Sequence, residues 1–150
     1  MRRIGDILDE KGHAIHATTP DTPVLEAVDL MCWHRVGALL VREGERPVGI
    51  VSERDVLTRL VLARRDAATT PVSDIMTSEV VCVGPDARVG EVMGLMTERR
   101  VRHVPVVEAG HLIGMISTGD LVRCASHEHE LDLLMLTEYV RGTYPPPPAH

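Results

Sequence analysis

The sequence of 150 residues contains no phenylalanine, and aromatic residues make up only 2% of it. Its core must therefore be built from Val, Leu, Ile, Met and Ala, which the hydrophobic content of 44% can supply. No stretch approaches the roughly 18 apolar residues that a membrane-spanning helix needs, and the first residues lack the apolar run of a signal peptide. The net charge of −6 argues against a general binder of nucleic acid or membrane surfaces.

Cysteine is scarce as well. The three cysteines, Cys32, Cys82 and Cys124, are odd in number and show no Cys-x-x-Cys spacing. They fall inside apolar stretches, where cysteine usually acts as a small hydrophobic residue. This pattern favours a reducing compartment over a disulfide framework, so we expect a soluble, cytoplasmic protein.

What the sequence does contain is an internal repeat. The segment Pro20–Leu57 aligns without a gap on Pro85–Val122, 65 residues later, and 13 of the 38 paired positions are identical. A duplicated unit buries its apolar surface against its copy, so related sites should recur around a pseudo-twofold axis.

Each repeat is predicted to fold as strand, helix, strand, strand, helix. Apolar residues at helical spacing follow a proline-containing helix start, and two apolar runs flank a polar turn, which is typical of a hairpin. The predicted elements are a strand at Ile15–Ala17, a helix after Asp21-Thr22-Pro23, strands at Ala38–Arg42 and Pro47–Val51, a helix at Glu53–Ala63, and, in the copy, a helix with the stripe Val89, Val92, Met93 and Met96, strands at Val104–Val107 and Leu112–Ile116, and a helix at Thr118–Ser126. The fold class is therefore α/β (α+β).

The chain divides into repeat 1 at residues 4–66, repeat 2 at 67–126, a C-terminal helix at 127–142 and a proline-rich tail at 143–150, which is expected to be mobile. A lead-in segment, Ile4–Leu8, resembles Val72–Met76 at an offset of 68, so the first lead-in carries three extra residues. The C-terminal helix could pack on its own chain or form a dimer contact, and the sequence leaves both open.

The chemistry lies in Ser-x-x-Asp, which recurs as Ser52 to Asp55 and as Ser117 to Asp120 at the start of each repeat's second helix. A helix start suits phosphate, an aspartate there can accept hydrogen bonds from a ribose diol, and the preceding apolar residues could flank a purine. The same spacing also makes a capping box, which stabilises a helix without any ligand. Both interpretations remain open at this point.

The motifs together resemble those of tandem cystathionine-β-synthase (CBS) domains, the pair called a Bateman module. The resemblance rests on Asp74–Thr77 (Asp-Ile-Met-Thr), on Arg102–Val106, and on two Gly-h-h-Ser-x-x-Asp segments in which h is apolar, and it extends from Ile4 to Ala125. It implies two β-α-β-β-α repeats, related by a pseudo-twofold axis and packed through their sheets. It also implies a homodimer without catalytic activity or a required cofactor, which binds AMP, ADP, ATP, NAD or S-adenosylmethionine between the repeats and signals to an unidentified protein.

The resemblance further implies two clefts, each combining the Ser-x-x-Asp of one repeat with the lead-in of the other. In both, the aspartate would hold ribose hydroxyls and the serine would face phosphate. The first cleft would comprise Ile50, Val51, Ser52, Arg54, Asp55, Met76, Thr77 and Val80. The second would comprise Ile15, His16, Ala17, Arg102, His103, Met115, Ile116, Ser117 and Asp120, with Arg102 and His103 as cationic phosphate contacts.

Two rival functions follow from the same residues. An enzyme could use Asp120 as base and Arg102 or His103 as electrophile, but the sequence offers no activated nucleophile. A ligand-free scaffold would keep Ser-x-x-Asp only to cap helices. The segment His127–Glu130 suggests a metal site, yet residues two apart on a helix point to different faces, so no metal is predicted.

Overall fold

Each repeat folds as a β-hairpin with helices packed on it, as seen in a computed structural model that describes residues 2–128. The mixed α/β class is confirmed. The elements are α1 (Ile4–Lys11), β1 (Ala17–Thr18), α2 (Val24–His34), β2 (Ala38–Glu43), β3 (Arg46–Ser52), α3 (Glu53–Asp55), α4 (Val89–Arg99), β4 (His103–Glu108), β5 (His111–Ser117) and α5 (Thr118–Glu128), together with a π-helical segment Val56–Val61 and a 3-10 turn Val72–Asp74.

The duplication is visible in the strand register. β2 pairs with β3 and β4 pairs with β5, both antiparallel, and each hairpin is irregular at the same place, Val41/Arg42 and Val106/Val107. Thr18 pairs in parallel with Val41, and 65 residues later Val83 forms a parallel bridge with Val106. β3 and β5 lie against each other, so the repeats meet through their sheets about a pseudo-twofold axis.

The lead-in segments exchange between the two cores. Ile4 and Leu8 of α1 are fully buried with residues of repeat 2, whereas Val72 and Ile75 are fully buried with residues of repeat 1. This exchange explains a repeated glycine, since a Cβ atom at Gly114 would lie 2.6 Å from Leu8 Cδ2. The two repeats therefore interlock, and each core takes residues from both halves of the chain.

Gly49, in β3, shows the same close approach: a Cβ atom there would lie 2.5 Å from the sulfur of Met76. A side chain at either glycine would push the opposite lead-in away from its strand. The glycines are thus what lets the lead-ins lie flat on the hairpins, next to the Ser-x-x-Asp segments.

Several sequence-based expectations differ from the structure. The second helix of repeat 1 is α-helical only over Glu53–Asp55 and continues as a π-helix, a distinction that apolar periodicity does not make. Met93, expected in the core stripe, is 38% exposed, because its helical position lies beside the stripe rather than on it. Cys32 and Cys82 are exposed and only Cys124 is buried. The predicted helix beyond Glu128 and the proline-rich tail lie outside the described residues.

Candidate functional site

The first cleft lies between the two repeats and has a volume of about 660 Å³. One wall is formed by the end of β3 and the start of α3, which carry Ser52 and Asp55. Thr77, from the lead-in to repeat 2, lies beside them. The opposite wall is the end of α4 and the start of β4, including Arg100 and Arg102. The cleft thus draws on both repeats, as the resemblance implied.

Ser52 and Asp55 form a capping box. The Asp55 amide donates to Ser52 Oγ at 3.3 Å, and the Ser52 amide and hydroxyl donate to Asp55 Oδ2 at 3.0 and 3.1 Å. The other carboxylate oxygen, Oδ1, accepts a long hydrogen bond of 3.4 Å from Thr77 Oγ1 and lies 3.9 Å from Arg59 Nε. Capping therefore uses one oxygen of Asp55 and leaves the other with only weak contacts.

Three arginines line the first cleft: Arg54 beside Asp55, and Arg100 and Arg102 from the opposite wall. His103 lines it too. The sequence interpretation placed Arg102 and His103 in the second cleft. His103 also lies near Asp120 and Lys11 of that cleft, whose charges, beyond the effect of burial, raise and lower its pKa, respectively. The backbone of Arg102 does accept a hydrogen bond of 2.9 Å from the Thr118 amide, in the second repeat, but β4 starts where the two repeats meet, so both residues reach the first cleft.

His103 is half-buried, and its surroundings disfavour the imidazolium form. Burial lowers the pKa of His103, the charges of Lys11 and Arg102 lower it further, and the carboxylate of Asp120 acts in the opposite direction. A lowered pKa leaves the ring neutral at pH 7. His103 can then offer a hydrogen bond or an aromatic face to a ligand, but not a fixed positive charge.

At the predicted second cleft, Ser117 and Asp120 have the same capping geometry but different neighbours. The Ser117 amide donates to Asp120 Oδ2 at 2.8 Å, and the Asp120 amide donates to Ser117 Oγ at 3.2 Å. Lys11 Nζ also donates to Oδ2, at 2.7 Å, and Arg123 pairs with Oδ1. Burial would raise the pKa of Asp120, but the hydrogen bonds from Lys11 and Ser117 outweigh burial and lower it. Asp120 is a paired anion.

The residues predicted to bring the lead-in of repeat 1 to the second cleft have different contacts. The His13 ring lies 2.7 Å from the carbonyl oxygen of Ile113 in β5. The His16 ring instead stacks on His34, with centroids 4.1 Å apart. The pKa of His16 is lowered by burial first, and then by His34 and Lys11. Ile15 and Ala17, the remaining predicted residues of this segment, are half-buried.

The apolar residues predicted for the two clefts divide into two groups. Alternation along the strands turns Val51 and Ile116 into the cores, where both are fully buried. Their side chains are therefore not on a cleft wall, which corrects the prediction for these two residues. Ile50 lines the first cleft, and Met115 is half-buried on the corresponding face of β5.

The predicted lead-in residues of the first cleft occupy different positions. Thr77 exchanges two backbone hydrogen bonds of 2.9 Å with Ile50, which holds it at the cleft. Met76 lies on Gly49, and Val80 is half-buried.

Sequence reasoning missed four charged residues, namely Lys11, Glu79, Arg100 and Arg123. Lys11 lies in the part of the chain where the first lead-in has its three extra residues. Arg100 is an identical pair with Arg35 in the repeat alignment. Both signals were present in the sequence, but neither shows which cleft a side chain reaches.

Comparison with known proteins decides the family. The model of the CBS domain matches the chain twice, over residues 5–62 and 72–127. This chain belongs to the CBS domain family. The two matches correspond to the two repeats seen in the sequence and in the structure, so the protein is a tandem CBS pair.

Its relatives include other small CBS proteins. The chain is 41% identical to the mitochondrial CBS domain-containing protein CBSX3 of Arabidopsis thaliana, covering 94% of this chain and 73% of that protein. A signal-transduction protein with CBS domains from Burkholderia ambifaria is 41% identical, with a TM-score of 0.80 over 85% of this chain and 96% of that one. A hexameric CBS-CP12 protein from bloom-forming cyanobacteria is 27% identical, with a TM-score of 0.73 over 91% and 80% of the two chains.

Two further findings concern residues 2–128. Within them, no helix combines the length and apolar character needed to cross a membrane. In the same part of the chain, His, Cys, Asp and Glu side chains form no group of three that could hold a metal ion.

Proposed function

We propose that this CBS pair is a non-catalytic regulatory module that binds an adenosyl nucleotide in the first cleft. The proposal rests on one juxtaposition: a carboxylate oxygen with only weak partners, Asp55 Oδ1, belongs to a residue that shares a cleft with Arg54, Arg100 and Arg102. A nucleotide carries hydrogen-bond donors on its ribose and negative charge on its phosphates, and this arrangement complements both.

Each part of the ligand has a candidate contact. The ribose hydroxyls would donate to Asp55 Oδ1, and the phosphates would pair with the arginines, which bind phosphate oxygens in a bidentate manner. The purine would lie among Ile50, Met96 and Val101, the apolar residues of the cleft. The volume of about 660 Å³ is within the usual range of small-molecule sites, roughly 300–1,000 Å³. AMP, ADP, ATP and NAD are the proposed ligands.

Binding would act on the relative positions of the two repeats. Asp55 and Arg54 belong to repeat 1 and Arg100 and Arg102 to repeat 2, so a bound nucleotide contacts both. It shifts the balance between two arrangements only by the difference in its affinity for them. A regulated protein, still to be identified, would respond to that shift as a signal of cellular energy state, and we propose the cytoplasm as the place where this occurs.

Thermal unfolding with AMP, ADP, ATP, NAD and S-adenosylmethionine, each added separately, tests the proposal. A ligand at 100 times its Kd stabilises the folded protein by about 2.7 kcal/mol, which should raise Tm by roughly 5–10 °C. Asp55→Asn keeps one oxygen for the cap but replaces Oδ1 with an amide donor, so it should abolish the shift. Asp29→Asn, the same change on the exposed face of α2, should leave it intact.

Other outcomes would contradict the proposal. No shift with any of these compounds would support the ligand-free scaffold, in which Ser52 and Asp55 only cap a helix. A shift that survives Asp55→Asn would place the ligand elsewhere. Chromatography of the nucleotide after incubation tests for catalysis, and conversion of the nucleotide would favour an enzyme.

We also propose that the module forms a homodimer, because large apolar side chains are exposed on α2 and on the π-helical segment. Trp33 is 84% exposed, Leu62 76% and Leu57 59%. Leu57 lines a groove together with Val28, Met31 and Val56, and contiguous exposed apolar surface marks interaction surfaces. Sedimentation velocity should show a dimer, and Trp33→Glu together with Leu57→Glu should yield monomers of unchanged helical content. A monomeric parent protein would overturn this proposal.

A further inference from the structure

The second cleft contains a positive charge supplied by the chain itself. Lys11 Nζ donates hydrogen bonds of 2.7 Å to Asp120 Oδ2 and of 2.7 Å to the carbonyl oxygen of Met115. Lys11 is the sole lysine in the 150-residue sequence. We propose that Lys11 determines stoichiometry: its ammonium group occupies the ribose-binding position of the second cleft, so that the module takes one nucleotide, in the first cleft. This inference rests on the proposed function.

The two aspartates differ in what their oxygens already bind. Asp120 Oδ2 accepts from Lys11 and from the Ser117 amide, and Oδ1 pairs with Arg123. Asp55 Oδ1, by contrast, has only Thr77 Oγ1 at 3.4 Å and Arg59 Nε at 3.9 Å. A ribose diol can therefore reach an oxygen of Asp55, but it must displace an ammonium or guanidinium group to reach one of Asp120.

The Lys11 contact arises from a difference between the two lead-ins. Leu8 lies on Gly114, and Lys11 follows one helical turn later on the same face of α1. In the second lead-in the helical part is only the 3-10 turn Val72–Asp74, and the chain then becomes extended where Thr77 pairs with Ile50. The longer helix of the first lead-in, which continues to Lys11, thus carries the lysine to Asp120.

The charge that follows the second lead-in has the opposite sign. Glu79 lines the first cleft, so no cation from that lead-in neutralises Asp55. The Asp120 side chain is only 5% exposed and that of Lys11 32%. If a ligand displaced the ammonium group, the carboxylate of Asp120 would remain as a buried charge without that partner, which is unfavourable. The burial of Asp120 therefore opposes the displacement of Lys11. The duplication has therefore produced one cleft whose aspartate has an oxygen with only weak partners and one whose aspartate is paired at both oxygens.

Binding stoichiometry tests the inference. Isothermal titration with AMP, ATP and NAD, each in turn, should give one nucleotide per chain for the wild type and two for Lys11→Met. Lys11→Arg keeps the charge and should give one. Adding Asp120→Asn to Lys11→Met should remove the second equivalent again. Two equivalents in the wild type, or one in Lys11→Met, would overturn the role of Lys11.

The titration also separates this inference from the proposed function. If the wild type and Asp55→Asn both bind no nucleotide, the first cleft is not a nucleotide site and both proposals fail. If the wild type binds one nucleotide and Asp55→Asn none, the proposed function holds, and only the Lys11→Met result bears on the second cleft. If the wild type binds one equivalent of nucleotide, and Asp120→Asn loses it while Asp55→Asn keeps it, the ligand binds in the second cleft. That result would overturn the inference.

A second measurement does not depend on how Lys11→Met folds. Because Lys11 is the sole lysine, acetylation by an amine-reactive ester, read by peptide mass spectrometry, reports on this one ammonium group. Lys11 should react slowly in the wild type, whether or not AMP, ATP or NAD is present, and faster in Asp120→Asn. Equal rates in the two proteins would show that the Lys11–Asp120 pair does not persist in solution, and would overturn the inference.

Discussion

Thr18 carries a buried hydroxyl group that lacks a hydrogen-bond partner among the described residues. The residue is 6% exposed and lies in β1, paired with Val41. Burying an unsatisfied polar group costs about 1–3 kcal/mol, and valine has nearly the same shape as threonine without that group. The second repeat already has Val83 at the equivalent position, in the same parallel pairing with Val106. Thr18→Val should therefore raise the free energy of unfolding by about 1 kcal/mol.

Urea denaturation followed by far-UV circular dichroism measures the change, and Tm should rise by roughly 2–4 °C. Thr18→Ser is the matched control, since it keeps the hydroxyl and removes the methyl group. It should lower stability by about 0.8 kcal/mol, the value of one buried carbon. If Thr18→Val is no more stable than the wild type, the hydroxyl has a partner in solution and the reasoning is wrong.

Two further predictions concern the arginines and Asp120. Arg35 and Arg100 both end a helix in the left-handed conformation, at φ 55°, which costs a non-glycine residue about 1–2 kcal/mol. Arg35→Gly and Arg100→Gly should each raise the urea midpoint, but only Arg100→Gly should weaken nucleotide binding in titration calorimetry. Asp120 faces Lys11, Arg123 and His103, and its pKa is lowered in the folded protein. The resulting stabilisation is present above the ordinary pKa of aspartate and is lost as the pH falls through the pKa of Asp120 in the folded state. The stability difference between wild type and Lys11→Met should therefore shrink below about pH 4.

The topology and the two clefts could be predicted because the repeat carries them. Once Ser52 and Asp55 match Ser117 and Asp120, duplication requires two related helix starts, and the structure has both. The resemblance, not the repeat, implied that each lead-in approaches the other repeat's Ser-x-x-Asp, and Thr77 does lie beside Asp55. These features depend on the order and spacing of residues, which the sequence displays directly.

The features that the sequence did not predict depend on where side chains point in the folded chain. Arg102 and His103 line the first cleft although they belong to the second repeat, because β4 starts where the two repeats meet. Val51 and Ile116 are in the cores because strand alternation turns them there. Lys11 contacts Asp120, 109 residues away in sequence. The three extra residues show that the first lead-in is longer, but they do not show where the side chain of Lys11 lies in the fold.

The exchange of lead-ins also determines how the protein should unfold. Leu8 is buried in the core of repeat 2 and Ile75 in that of repeat 1, so neither core is complete without the other half of the chain. Leu8→Ala and Ile75→Ala should each cost about 2–5 kcal/mol. We expect both to lower the midpoint of a single transition, since loss of one core withdraws a buried segment from the other.

Cys124 is buried in the second core, so the reactivity of its thiol reports on the unfolding of that core. Pulsed alkylation at increasing urea, read by peptide mass spectrometry, gives the midpoint at which it becomes reactive, and the exposed Cys32 serves as the reactive reference. Ile75→Ala removes atoms only from the first core, yet it should lower the Cys124 midpoint together with the circular dichroism midpoint. A Cys124 midpoint that Ile75→Ala leaves unchanged would mean that the cores unfold independently. The clefts between them could not then act as one cooperative switch, because a nucleotide bound at one core boundary would leave the other core unaffected.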